Sequence, residues 1–140
     1  MAITSAICNS FKQEILEAEH NFTASTGNTF KLALYDSDAT LGAGTTAYST
    51  SEEITNTSGT AYTAGGKALT NTGVGLTSTT AFTDFSDVSW TSASFTANGA
   101  LIYNTTTDGG SGTTDAVAFR HNSRTRHGPL LADIQVGRFG

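Results

Sequence analysis

Charge is scarce in this chain. Of its 140 residues, seven are Lys or Arg, three are His, and charged types together make up 14%, where an average soluble domain carries about 25%. So few cations argue against general binding to nucleic acid, which depends on neutralising phosphates. One cysteine, Cys8, leaves no intrachain disulfide framework and no zinc-ligand pattern. It lies in an apolar periodic stretch and reads as a small buried hydrophobe. No run approaches the roughly 20 apolar residues of a membrane-spanning helix, so no membrane partner is expected. The first basic residue, Lys12, is followed by no apolar signal core, and folding in a reducing cytoplasm is expected. Gly73-Val-Gly75 lacks the third glycine and the following helix of a phosphate loop.

What the chain has instead is hydroxyl groups. Forty residues are Ser or Thr and 15 are Gly, with a single Pro. Thr favours pleated strands, while Ser and Gly make turns. The apolar fraction, 37%, suffices for one thin core. The expected fold is mainly β with one N-terminal α-helix, either β-sandwich-like or an α+β single domain spanning 1–140. Charge divides that domain. Residues 1–119 carry three Lys against eleven acids, or −8, and residues 120–140 carry four Arg against one acid, or +3. The basic segment is a solvated end or meets an acidic neighbour such as another copy.

Periodicity places an amphipathic helix over 2–20. Ile3, Ile7, Phe11 and Ile15 recur every four residues, Cys8 and Leu16 widen the stripe, and Lys12, Gln13, Glu14 and Glu17 face away. That stripe either covers a sheet or docks on a partner. A β-rich body is expected over 28–119. Phe30–Tyr35 alternates as a strand, Asp36–Thr60 is a long excursion around a weak strand near Ile54, and Gly65-Gly66 marks a tight turn. Short strands follow over 67–71 and 73–77. Val88 and Trp90 alternate as a strand with one wet face, and Phe95 enters another. Asn98-Gly99 signals a type I′ hairpin before a central apolar strand, Ala100–Tyr103. Residues 104–115 read as a loop, Ala116–Phe119 as a strand, and Leu130–Val136 as a last strand after Pro129.

Little in this pattern carries chemistry. His121 and His127 are six apart with no Cys or acid between them, which fits no metal spacing. Ser123, His121 and Asp133 lack the glycine elbow of a hydrolase. Asp36-Ser-Asp38 begins like a calcium loop, but Leu41 stands where the turn needs Gly and no acid closes the loop. Glu52-Glu53 and the Asp84/Asp87 pair read as solvating acids. Tyr48 and Tyr62 sit amid polar loops, where they pack turns or contact a glycan or a protein. No catalytic residue, metal or cofactor is expected, and the chain is not expected to be an enzyme.

Several phrases occur in a suggestive order: Met1-Ala-Ile-Thr-Ser-Ala-Ile-Cys-Asn-Ser-Phe-Lys-Gln-Glu14, His20-Asn-Phe22, Phe30-Lys-Leu-Ala-Leu-Tyr35 and Ala39-Thr-Leu-Gly42. Tyr62-Thr-Ala-Gly-Gly66, Thr80-Ala-Phe-Thr-Asp-Phe85 and Ala97-Asn-Gly-Ala-Leu-Ile-Tyr-Asn104 follow. Across residues 1–105 they resemble a family of small virion structural proteins of tailed bacteriophages. The resemblance implies a particle component and supplies no catalytic residues. Similar proteins continue after Ala116-Val-Ala118 into further apolar strands, whereas Arg120–Arg126 here is basic, through a shifted frame or a different tail. The expected function is therefore a capsid decoration (cement) protein, located in the virion after assembly in the host bacterial cytoplasm. Alternatives are a tail or neck component and a carbohydrate- or receptor-binding module. Expected partners are other copies of the chain and the major capsid protein or other virion proteins. Ile7, Phe11, Ile15, Arg120, Arg124 and Arg126 are the candidate contact residues.

Overall fold

A computed structural model describes residues 6–54, 61–91, 93, 95–106 and 115–121. Its centre is an antiparallel pair, β2 (Phe30–Tyr35) and β6 (Gly99–Asn104), in register from Phe30 opposite Asn104 to Tyr35 opposite Gly99. β7 (Ala116–His121) flanks β6, with a register shift between Ile102 and Tyr103. Two-residue strands close the edges, β1 (Ala6–Ile7) on β7 and β3 (Lys67–Ala68) on β2. Edges this short limit strand-to-strand aggregation at both ends of the sheet. A separate ribbon pairs β4 (Asn71–Thr77) with β5 (Thr80–Phe85). One helix, α1 (Asn9–Leu16), completes an α+β arrangement.

The central strands are apolar enough to be covered on both faces: every residue of β6 is buried, and in β2 only Lys31 is half-exposed. Alternation puts Phe30, Leu32 and Leu34 on one face and Lys31, Ala33 and Tyr35 on the other. The first face meets an aromatic cluster. Phe22 stacks on Phe30 at 4.5 Å, Phe85 meets both edge-on, and Phe11 of α1 meets Phe22. On the second face Tyr48 stacks on Tyr103 at 4.5 Å, so part of the long 36–54 excursion serves as a lid of core rather than loose loop. Tyr62, Trp90 and Phe95 form a third aromatic group, with the Lys67 ammonium 5.3 Å from the Trp90 ring.

The predicted strands at 30–35, 100–103 and 116–119 are present, as are those within 67–71 and 73–77. Ile54 does lie beside β2, its N–H donating to the Leu34 carbonyl at 2.9 Å. The turn at Gly65-Gly66 has positive φ at both residues, and a Cβ on Gly66 would fall 1.8 Å from the Leu32 carbonyl oxygen. Only glycine fits that approach.

Other expectations are corrected. The helix does not span 2–20: among the described residues it covers Asn9–Leu16, and Ile7 belongs to β1. Pairing with Phe119 and Ala118, then a bond from the Cys8 N–H to the Val117 carbonyl, draws this segment into the sheet despite its helical period. The helix ends in a Schellman arrangement. Glu19 N–H bonds the Glu14 carbonyl, Ala18 N–H bonds that of Ile15, and Ala18 takes φ +62°. No strand forms at 86–90, although Trp90 is buried. Nor is there a hairpin at Asn98-Gly99. Neither residue has the positive φ of a type I′ turn, and the Asn98 N–H bonds the Tyr35 carbonyl instead. The expected strand at 130–136 lies outside the described residues.

Candidate functional site

Two buried polar centres hold the sheet's coverings in place. The first is Glu53, only 6% exposed. Its Oε1 accepts hydrogen bonds from the Tyr62 hydroxyl at 2.6 Å and the Gly65 N–H at 2.7 Å, and its Oε2 accepts from the Tyr48 hydroxyl at 2.6 Å. Tyr62 Oη also accepts the Leu34 N–H at 2.9 Å, which ties the centre to β2. Tyr103 donates to the Gly65 carbonyl, and Tyr35 donates to the Ser49 carbonyl. All four tyrosines of the chain thus converge on one carboxylate and its supporting loops.

Burial keeps these phenols protonated, because the phenolate would lose its hydration. Burial first, then the negative charge of Glu53, pushes Tyr103 up to about 12. Tyr48 and Tyr62 are raised further, by burial and then by donating to Glu53. Tyr35 is raised by burial against the opposing effect of its bond to Ser49. The centre holds protons firmly and works as a clamp between the 48–54 and 62–66 segments.

The second centre joins α1 to β6. His20, 7% exposed, places Nε2 2.8 Å from Glu14 Oε2 and Nδ1 3.1 Å from the Asn104 amide nitrogen. Since the carboxylate accepts, Nε2 carries the proton, and Nδ1 accepts from the Asn104 amide. That amide donates as well to Asn28 Oδ1, while Asn104 Oδ1 accepts the Thr106 N–H. Phe11 packs on the imidazole at 4.9 Å between ring centres. Both ring nitrogens are occupied, so the imidazole acts as a strut.

One grouping could hold a cation. Carboxylate oxygens of Asp36, Asp38 and Glu52 lie within 4.8 Å of one another. Exposed acidic trios of this kind solvate a surface as readily as they hold an ion. Cys8 is buried, and burial followed by the Glu14 charge raises its thiol to about 11, so it stays a thiol in the folded chain.

The residues expected to form a contact surface are dispersed. Ile7 is half-buried in β1 and Phe11, 4% exposed, lies in the chain's own core, while Ile15 is 44% exposed at the end of α1. The helical stripe is therefore divided between core and surface. Arg120 lies in β7 opposite Ala100, so the basic run begins inside the sheet. Arg124 and Arg126 lie outside the described residues, as do His127, Ser123 and Asp133. Sequence reasoning placed Glu53 at the surface and assigned His20 and Asn104 no joint role. The bond between the last two spans 84 positions, and no local pattern signals it. No protein-family model, curated protein or solved structure matches this chain.

Proposed function

We propose that this chain is a structural protein of a bacteriophage particle, a decoration protein that reinforces the head through many repeated contacts. The observation that carries the reading is the direction in which its chemistry points. His20, Glu53, Tyr35, Tyr62 and Tyr103 face inward and are occupied in holding the fold. Large apolar side chains point outward instead: Leu16 is 87% exposed, Leu76 71% and Val74 66%. Such groups on a hydroxyl-rich surface suit packing against other proteins. Low charge reduces the desolvation penalty of interfaces repeated many times. The ordered phrases of residues 1–105, similar to those of phage virion proteins, supply the particle context.

A glycan- or receptor-binding role has less support, because the tyrosines that would stack on a sugar are committed to Glu53. Tyr62 is fully buried. Quantitative mass spectrometry of purified particles tests the proposal. A copy number matching the capsid lattice is expected. One ring's worth of copies would move the chain to the neck or tail, and absence from particles would refute the structural reading.

A further inference from the structure

The ribbon of β4 and β5 is the least supported part of the described chain. Among the described residues it pairs only with itself, and it is tied down at its base, where Phe85 meets Phe22 and Phe30. A two-stranded ribbon alone is marginal in water, and β4 exposes both of its large aliphatic side chains, Val74 and Leu76. Free strand edges are commonly defended by Lys, Pro or a bulge. From Ala68 to Thr83 the sequence has no charged residue and no proline, and the register shift between Asn71 and Gly73 leaves Gly73–Thr77 regular. On the opposite face of that stretch Gly75 is already covered. The Phe82 ring lies over Gly75 so closely that a Cβ there would sit 2.5 Å from Phe82 Cζ.

We infer that the outer edge of β4, which has no strand partner among the described residues, is the seam of a two-fold homodimer centred on Gly75. The sequence of β4 suits a second copy as the occupant: the strand is neutral throughout, so two copies of an acidic chain can meet along it without bringing like charges together. The side-chain pattern is self-complementary. Antiparallel pairing about Gly75 sets Val74 opposite the partner's Leu76, Leu76 opposite the partner's Val74, and Gly75 opposite its own equivalent. All four exposed aliphatic side chains then share one face of a four-stranded sheet, the isologous arrangement a two-fold axis requires. Pairing also satisfies backbone groups along an edge that has no strand partner among the described residues.

This inference rests on the many-copy reading above, although its test does not. Sedimentation velocity of the purified full chain over a concentration series is expected to show a monomer–dimer equilibrium. Val74→Glu and Leu76→Lys, each at an exposed position, should weaken association at least about tenfold with unchanged circular dichroism and, at concentrations where the parent is monomeric, an unchanged melting temperature. Mixing the two variants should restore a dimer, because the register places the introduced acid opposite the introduced amine while the second pair remains apolar. A parent chain monomeric at every concentration would overturn the inference. So would association that both variants leave intact, or variants that stay monomeric when mixed. A monomer abundant in particles removes the seam and leaves the proposed role standing.

Discussion

Replacing Glu53 by Gln keeps the size of the side chain and removes its charge, which isolates what the carboxylate contributes. Glu53 accepts three hydrogen bonds, from Tyr48, Tyr62 and the Gly65 N–H. Bonds to a charged acceptor contribute about 1.5–3 kcal/mol each, against about 1 kcal/mol for neutral pairs. An amide oxygen at the Oε1 position can keep Tyr62 and Gly65, but the NH₂ group then faces the Tyr48 hydroxyl. Tyr48 must turn from donor to acceptor. Relief from burying a charge offsets part of the loss. Glu53→Gln should therefore destabilise by about 2 kcal/mol, and Glu53→Ala, which orphans all three donors, by about 4 kcal/mol. Since whole domains are stable by about 5–15 kcal/mol, the Ala variant should be close to unfolding at moderate temperature. The only tryptophan, Trp90, lies 5.9 Å from Tyr62 between ring centres and reports urea unfolding by fluorescence. A double-mutant cycle with Tyr48→Phe should give a coupling of about 1 kcal/mol. The reasoning fails if Glu53→Gln matches the parent within about 0.5 kcal/mol and the two substitutions add.

Three further outcomes follow from the same geometry. In alkali, Cys8 and the four tyrosines titrate later in the folded chain than unfolded, so the unfolded state loses protons first and stability falls as pH rises. The decline should begin near pH 9, the ordinary value of the Cys8 thiol, and steepen above pH 10 as unfolded phenols ionise. Urea midpoints against pH measure this, and phenolate absorbance near pH 10 in a chain with native circular dichroism would contradict it. Ala18→Gly, at the positive-φ end of α1, and Ser78→Gly, at φ +55° in the β4–β5 turn, should each stabilise by about 1 kcal/mol, read as a higher melting temperature. Asn104→Ala should cost about 2–4 kcal/mol, because His20 Nδ1 and Asn28 Oδ1 each lose a donor and the Thr106 N–H its acceptor. An unchanged urea midpoint would show that water replaces that amide without penalty.

Much of the sheet was legible because its strands announce themselves locally. Phe30–Tyr35 and Ala100–Tyr103 are short apolar runs bounded by turn residues, and adjacent glycines at 65 and 66 mark a backbone position that a side chain would obstruct. The helical period at the N-terminus was genuine but overextended, because pairing of Ala6 and Ile7 with β7 competes for the same residues. The Asn98-Gly99 signal failed for a related reason: among the described residues no strand leads directly into it, and the Tyr35 carbonyl captures the Asn98 N–H. Glu52 and Glu53 are the sharpest case. They are adjacent in sequence, yet Glu52 is exposed and Glu53 lies beneath two tyrosine hydroxyls.

By itself the sequence determined the class of the molecule, a β-rich, hydroxyl-rich, weakly charged chain with an N-terminal helix, because composition and period act through neighbours a few positions apart. Tertiary structure alone decided which polar groups are interior. A carboxylate becomes a clamp only where tyrosines from positions 48 and 62 meet it, and a histidine becomes a strut only where Asn104 reaches it from across the fold. The free energy of burying such a group depends on whether distant partners satisfy it, and that information resides in the packing rather than in the order of residues.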